Sequence, residues 1–587
     1  MCGIFAFINH ENTENNLSAI ETSFHKGVAR GPEFSTLNNY DNILLGFHRL
    51  AINGLSAKSN QPIHHNNVIL ICNGEIYNFK QLARDHNIEL QTESDCEIIL
   101  HLYLIYGIEY TLNILDGVFA FVLYDKIQDI VVMARDPHGV RPLYYFMEKN
   151  ALCAASELKV LYNLTSQKNL IQNFRPGHYM ILNNLQSNIY TYFNKYTNFP
   201  CQNIEYWPDL NDELYNRIVT HISKAVKKRV VGTTERPIAC LLSGGLDSSL
   251  VACLVNREMQ LDKMRDDKNK ILQTFSIGLP GSEDLKYARI VAKHLKSIHH
   301  EIVVSEDDFF NAIPEVIKAV ESYDTTTIRA SVGNYLVAKY IKENSDCKVV
   351  FNGDGADELM GGYLYMKKAP NCYEFDRECR QLMQDIYMFD VLRSDKSISS
   401  HGLEPRTPFL DRQWVEFYLS IDRSLRHDTT VQRSEKYLLR KAFGQIIPDL
   451  IPEEILWRTK EAFSDGVSSL NKSWYEIIQT KIMNIPNIDM KLSQTKMSYE
   501  ILSKPINPPT TQEQCYYRFI FNQHYKHCDH LIEYFWMPKY VNANDASARS
   551  LNIYTEQNTN NKKEEEKEKE EKEEKEEKEE KEEKEEK

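Results

Sequence analysis

The sequence predicts a two-domain α/β chain. Antiparallel sheets come first, then a parallel sheet flanked by helices that ends in a mainly helical part. Three observations predict it. Strand-like runs crowd the first half with few long helices between them, strand and helix patterns alternate after about Asn211, and the periodicity past about Tyr365 is helical.

In order along the chain, residues 4–8, 43–47, 68–72, 119–124 and 130–134 are short β-prone runs. Helical spacing occurs at 17–26 and 96–106. Most of these strands follow one another without a crossover helix, so antiparallel pairing is expected. Arg175-Pro176-Gly177-His178 is a turn signal, and the polar stretch 194–209 reads as a linker. A helix at 213–228 and a strand at 238–242 follow, then a Gly-rich turn and another helix. The strand 272–277, the helix 284–295 and the strand 299–304 continue the alternation of a parallel sheet. Residues 562–587 hold 10 Lys and 16 Glu with no apolar face, so they form a solvated tail outside any core. The expected units are 2–200, 211–556 and the tail 557–587.

Composition excludes several classes. A net charge of −14, part of it in the tail, argues against a nucleic-acid or membrane-surface binder. The 12 cysteines contain no Cys-x-x-Cys pair, which argues against zinc-ribbon and thioredoxin-like sites. His524, His527, Cys528 and His530 lack a clean zinc spacing and are expected to be a hydrated helix end. No basic-then-apolar leader and no twenty-residue apolar span is seen, so a reducing cytosol is the expected compartment.

Cys2 stands directly behind Met1. If Met1 is removed, Cys2 carries a thiol and a free α-amine, a nucleophile with its own general base. Four segments supply what an amide substrate with an α-carboxylate and an α-ammonium needs. Arg49, in His48-Arg49-Leu50-Ala51-Ile52-Asn53, suits a carboxylate. The Asn73 amide and the Gly74 N–H, at the end of a strand, suit an oxyanion hole. Asp95 suits an ammonium, and Arg30-Gly31-Pro32 adds a tight turn. Glutamine is such a substrate. Singly, Cys2 reads as a buried strand residue, Arg49 as a surface ion-pair residue, Asn73-Gly74 as a turn and Asp95 as a helix cap. Their joint occurrence outweighs those readings.

Met1-Cys2-Gly3-Ile4, Arg30-Gly31-Pro32, His48-Arg49-Leu50, Asn73-Gly74-Glu75-Ile76-Tyr77-Asn78 and Ser94-Asp95-Cys96-Glu97 resemble the glutaminase domain of class II glutamine amidotransferases. The resemblance implies an αββα sandwich of the N-terminal nucleophile hydrolase type. It also implies that Cys2 forms a thioester with glutamine and releases ammonia. It places glutamine against Arg49, Leu50, Ala51, Ile52, Asn53, Asn73, Gly74, Glu75 and Asp95. Glu33 and Asn53 depart from the family pattern, which has Asp and a branched apolar residue there.

In the second half, Ser243-Gly244-Gly245-Leu246-Asp247-Ser248-Ser249 follows a strand and opens a helix. Its glycines and free N–H groups suit an anion, its serines add donors, and Asp247 suits Mg²⁺ between phosphates. It is a pyrophosphate loop rather than a Walker loop. Asn352-Gly353-Asp354-Gly355-Ala356-Asp357-Glu358 offers Asp357 as a second Mg²⁺ ligand, with Tyr363 near the phosphates. Lys460 suits charge developing on phosphate. Asp324-Thr325-Thr326-Thr327-Ile328-Arg329 adds hydroxyls and a cation, and Glu404-Pro405-Arg406-Thr407-Pro408-Phe409-Leu410-Asp411 is a further block.

These segments resemble the glutamine-hydrolysing asparagine synthetase family from Cys2 to about Tyr554. The resemblance implies that Leu241 and Ile277 line an adenine pocket with Asn352 and Gly353. It implies that Thr326 and Arg329 contact aspartate or pyrophosphate, and that the substrates are glutamine, aspartate and ATP. Asp354 stands where the family has Glu, so the base lies one methylene back and turnover is expected to be lower. A homodimer is compatible with the sequence but not required by it. Two rivals are a relative acting on another carboxylate and a nucleotide- or glutamine-sensing protein with a weakened synthetase site. A third makes the tail an interaction scaffold.

Overall fold

The computed structural model describes residues 1–551 apart from 14, 184–189, 196–209, 234, 263–270, 428–433, 487, 489–492 and 494–505. The expected linker lies mostly, and the charged tail wholly, outside the described residues.

The first half builds two antiparallel sheets. One contains β1 (Gly3–Ile8), β2 (Phe34–Tyr40), β3 (Ile43–Arg49), β8 (Tyr144–Glu148), β9 (Ala151–Ala155) and β10 (Gln172–Asn173), in the order β10-β8-β9-β1-β3-β2. The other contains β4 (Ile63–His65), β5 (Val68–Ile76), β6 (Gly117–Asp125), β7 (Ile130–Arg135), β11 (His178–Asn183) and β12 (Tyr190–Lys195), in the order β12-β11-β7-β6-β5-β4.

Period-2 patterning explains how they stack. From β1, Ile4, Ala6 and Ile8 enter a core shared with Ile69 and Ile71 of β5 and Ala120 and Val122 of β6. The alternate residues Phe5 and Phe7 face Ile20 and Phe24 of α1 (Leu17–His25) and Leu158 and Leu161. On the far side, Leu70 and Cys72 of β5 meet Leu82 of α2 (Phe79–Asp85) and Ile98 and Leu102 of α3 (Glu97–Ile114). The layers are therefore αββα, as the resemblance implied. β5 runs to Ile76, so Asn73-Gly74 is strand rather than turn. The helix expected at 96–106 extends to Ile114 across a kink at Gly107, whose φ is 79°.

After α4 (Asp212–Val231) the second half forms a parallel sheet. It contains β13 (Ile238–Leu241), β14 (Gln273–Gly278), β15 (Ile298–Val303), β16 (Val349–Phe351) and β17 (Glu404–Arg406), in the order β15-β14-β13-β16-β17. The chain leaves β13 toward β14 on one side, and β16 pairs with its other side. That reversal makes the carboxyl ends of β13 and β16 the crevice where an open α/β sheet binds ligands. α5 (Leu246–Leu261) starts behind β13, and α6 (Glu283–Leu295) follows β14. α7 (Thr325–Asn344) precedes β16, and the short α8 (Ala356–Met360) follows it. α9 (Asp390–Ser399) precedes β17. No helix among the described residues is long and apolar enough to cross a membrane.

The halves meet through one buried and one partly exposed ion pair. Arg406 of β17 pairs with Glu75 of β5 at 3.0 Å, and Arg236 pairs with Glu33 at 2.9 Å. The 524–530 segment is partly a hydrated helix end, with Lys526 and His527 exposed, and partly a contact between the halves. Cys528 is fully buried, and the His530 ring bonds the Ile171 carbonyl at 2.6 Å. No metal-binding group of His, Cys, Asp and Glu occurs among the described residues.

Candidate active sites at Cys2 and at the pyrophosphate loop

Cys2 is half-buried at the head of β1, and its thiol donates to the Leu50 carbonyl at 3.7 Å. Burial pushes the thiol up to about 11, against the opposing pull of the Met1 amino group and the Leu50 hydrogen bond. A thiol in that state is a poor nucleophile at neutral pH. Met1 is itself buried, and its amine lies 3.5 Å from the Leu403 carbonyl. Burial lowers that amine to about 6, although Glu404 opposes the shift.

Arg49 ends β3 and donates to neutral acceptors: Asn60 Oδ1 at 2.6 Å and the carbonyls of Ser56, Asn53 and Gly54. Among the described residues it makes no ion pair, and Glu33 and Glu235 act on it only from a distance. Asn73 is 1% exposed, and its Nδ2 has no hydrogen-bond partner among the described residues. A buried amide donor without an acceptor is costly, so this atom is placed for an oxygen that arrives with a ligand. Asp95 precedes α3 and accepts from the Ile76 N–H at 2.6 Å. Burial raises its carboxyl to about 6, against that hydrogen bond.

The neighbouring loop departs from expectation in instructive ways. Leu50, Ala51 and Ile52 are buried, and both polar backbone atoms of Ala51 are in use. Its N–H donates to Glu33 at 2.7 Å, and its carbonyl accepts from Arg236 at 2.8 Å. The longer Glu33 thus fastens this loop to the second half. Asn53 donates to Glu75 at 2.9 Å, and the other Glu75 oxygen pairs with Arg406. The Glu75 carboxylate therefore ties Asn53 to Arg406 at the domain junction.

At the crevice, one cavity is lined by Ser243, Gly245, Asp247 and Ser248 from the turn into α5, with Leu241 and Ile277 from the strand ends. Asn352, Gly353, Asp354, Asp357 and Tyr363 line the same cavity, as do Thr326 and Lys460. Gly244 and Ser249 are not part of the lining. Gly244 has φ 70°, and a Cβ there would lie 2.5 Å from the Ala288 nitrogen, so it shapes the turn. Ser249 is wholly buried. A Cβ on Gly353 would lie 2.8 Å from that of Asp247, so glycine lets the two loops touch.

Asp247 and Asp357 face each other across two lysines. Lys436 Nζ lies 2.5 Å from both carboxylates, and Lys460 Nζ lies 2.7 Å from Asp357 and 3.8 Å from Asp247. Burial favours a neutral Asp357, but Lys436 and Lys460 outweigh it and hold the carboxyl below its usual range. The second oxygen of Asp247 is buried with no hydrogen-bond partner among the described residues.

Asp354 Oδ1 pairs with Arg393 at 3.1 Å. Its carboxyl is buried, and burial, more than Arg393 and the Ser394 hydroxyl can offset, raises it. Thr326 Oγ1 has no hydrogen-bond partner among the described residues. Arg329 does not line the cavity. It is 3% exposed, and Glu513 and Asp545 each accept from it at 2.6 Å. Tyr363 donates to Glu358, whose carboxyl burial raises well above its usual range.

Sequence reading missed Lys436, Arg393 and Glu358. Lys436 lies 189 positions from Asp247 with no motif around it. Its only local mark is a left-handed φ of 57° ahead of a helix.

A glutamine amidotransferase domain model matches residues 1–212, and an asparagine synthase model matches residues 218–378 and 372–483. The chain is 42% identical over 575 residues to asparagine synthetase [glutamine-hydrolyzing] of Gallus gallus, covering 94% of this chain and 99% of that protein. The Homo sapiens protein of the same name is 39% identical over 574 residues, with the same shares covered. The Bos taurus one is 40% identical over 575 residues, again across 94% of this chain and 99% of that protein. With both halves of the architecture and nearly the full length matched, the chain belongs to the glutamine-hydrolysing asparagine synthetase family.

Proposed function

We propose that this protein makes asparagine from aspartate with ATP, using ammonia released from glutamine in its first half. The observation that carries the reading is one crevice joining the pyrophosphate loop, Asp357, Lys460 and Asp354.

In the first half, Met1 is removed and the Cys2 α-amine takes the thiol proton. A free α-amine has an ordinary pKa of ~7.7–8.0, so a useful fraction is neutral near pH 7. Arg49 binds the glutamine α-carboxylate and Asp95 its α-ammonium. The Cys2 sulfur attacks the side-chain amide carbon, and Asn73 Nδ2 and the Gly74 N–H receive the developing oxyanion. Ammonia leaves, and water then releases glutamate from the thioester.

In the second half, the β-carboxylate of aspartate attacks the α-phosphorus of ATP, giving β-aspartyl-AMP and pyrophosphate. Backbone N–H groups at Gly245 and the hydroxyls of Ser243 and Ser248 cradle the leaving phosphates. Lys460 and Lys436 neutralise their charge. Thr326 offers its unbonded hydroxyl to aspartate or pyrophosphate. Asp247 and Asp357 fit Mg²⁺: both are hard oxygen donors, and one Asp247 oxygen stands free of hydrogen bonds. When bound, the ion neutralises phosphate charge and helps align it. Ammonia, travelling inside the protein, attacks the acyl carbon while Asp354 Oδ2 accepts a proton. Asparagine and AMP result. The glutaminase unit spans 2–200 and the synthetase unit 211–556, in the cytosol.

The nucleotide product tests this reading. Glutamine, aspartate and Mg-ATP should give AMP, pyrophosphate and asparagine in equal amounts. ADP and phosphate, or AMP without asparagine, would contradict it.

A further inference from the structure

Both centres are mounted on one helix. Four consecutive residues of α9 reach in different directions. Arg393 pairs with Asp354, and Ser394 Oγ accepts from Asn352 at 2.6 Å, both at the synthetase crevice. Asp395 turns the other way and accepts from Arg30 Nη1 at 2.8 Å. Lys396 pairs with Glu321 and donates to Tyr144 at 2.7 Å, fastening the helix between the halves. Glu321 in turn accepts the backbone N–H groups of Leu158 and Lys159, each at 2.8 Å.

Arg30 matters because its Nε donates to the carbonyl of Cys2 at 2.9 Å. That bond fixes the peptide unit carrying the nucleophile. Arg30 is fully buried, so its orientation is set by its partners. Asp395 and Ser399, one helical turn apart, both accept from its Nη1, Ser399 at 3.0 Å. Glu157 lies farther off, at 3.6 Å. Arg141 approaches the other Asp395 oxygen at 3.6 Å.

We infer that Asp395 is a positioning residue for the glutaminase centre. Acting through Arg30, it sets the angle of Cys2 from the same helix that clamps Asp354 through Arg393. The inference rests on the reading of Cys2 as the glutaminase nucleophile. Asp395 touches neither glutamine nor the reacting sulfur, so its loss displaces the nucleophile without weakening the grip of Arg49 and Asp95. Attack geometry is steep, and a misplacement of about 1 Å costs on the order of 100-fold.

The test is Asp395→Asn in the full chain, with glutamine hydrolysis and ammonia-dependent asparagine synthesis measured side by side. The expected result is a kcat for glutamine hydrolysis lowered about 10- to 100-fold with KM held within about twofold. Ammonia-dependent synthesis stays within about twofold. Ser399→Ala removes one neutral acceptor and leaves the charges intact, so it decides the matter if Asp395→Asn does not fold. Its kcat for hydrolysis should fall in the same direction by about two- to fivefold, again at constant KM. Unchanged kcat in both variants overturns the role, as does a loss shared equally by KM, kcat and ammonia-dependent synthesis. A wild type that hydrolyses no glutamine overturns the reading of Cys2 itself, and this inference with it.

Discussion

Around Cys2, opposite charges are held apart: Arg49 donates to neutral oxygens, and Asp95 accepts from the Ile76 N–H at 2.6 Å and the Cys96 thiol at 3.9 Å. In the synthetase crevice the acids already have cations, with Asp247 and Asp357 on Lys436 and Lys460, and Asp354 on Arg393. On the proposed reading the difference follows from the ligands. A zwitterionic amino acid would need an anion and a cation that do not neutralise each other. A polyphosphate with its metal would bring both signs to a crevice that is already charge-balanced, and the lysines would exchange carboxylate for phosphate. Uncompensated buried charge costs several kcal/mol, and the crevice avoids most of that cost.

Breaking one centre at a time tests this division. Cys2→Ser should lower glutamine-dependent synthesis by on the order of 1000-fold or more while ammonia-dependent synthesis stays within about twofold. Retained Met1, read by intact mass, should have the same effect. Lys460→Met should lower both routes to asparagine by about 100- to 1000-fold and leave glutamine hydrolysis running. If hydrolysis falls as far as synthesis, the centres are not separable.

The recognisable residues were those in short local runs. Ser243, Gly245, Asp247, Ser248 and Asp357 each lie in a short local motif, and all line one cavity. The sheets were legible for the same reason, because burial on alternate sides is written at period 2, as Ile4 to Ile8 show. Contacts between residues far apart in the chain left no local trace. Arg406 finds Glu75 and Lys436 finds Asp247 only after folding. The acids that bind Arg329, Glu513 and Asp545, likewise lie 184 and 216 positions away.

Smaller effects sharpen the picture. Asp95 works as an ammonium clamp only when ionised. Its carboxyl is raised to about 6, so the grip is present above that pH and lost as pH falls through it. KM for glutamine should therefore climb roughly tenfold per pH unit below that value, with no matching change in KM for ATP. A flat KM between pH 7 and pH 5 would remove Asp95 from the site. Asp354→Glu restores the length the family uses, and synthesis turnover should rise by about two- to tenfold without altering glutamine hydrolysis. A gain from near zero would instead favour a sensing protein with a disabled synthetase site. Deleting residues 557–587 should change neither activity measurably.

The most direct measurement follows the nitrogen. The protein is incubated with amide-¹⁵N glutamine, aspartate and Mg-ATP in the presence of unlabelled ammonium, and asparagine and AMP are quantified together. Internal transfer predicts side-chain-labelled asparagine matching the AMP formed, with enrichment well above that of the free ammonium pool. Asparagine carrying only the label of the bulk pool, or glutamate accumulating with no asparagine, would contradict the coupling of Cys2 to the crevice at Asp354.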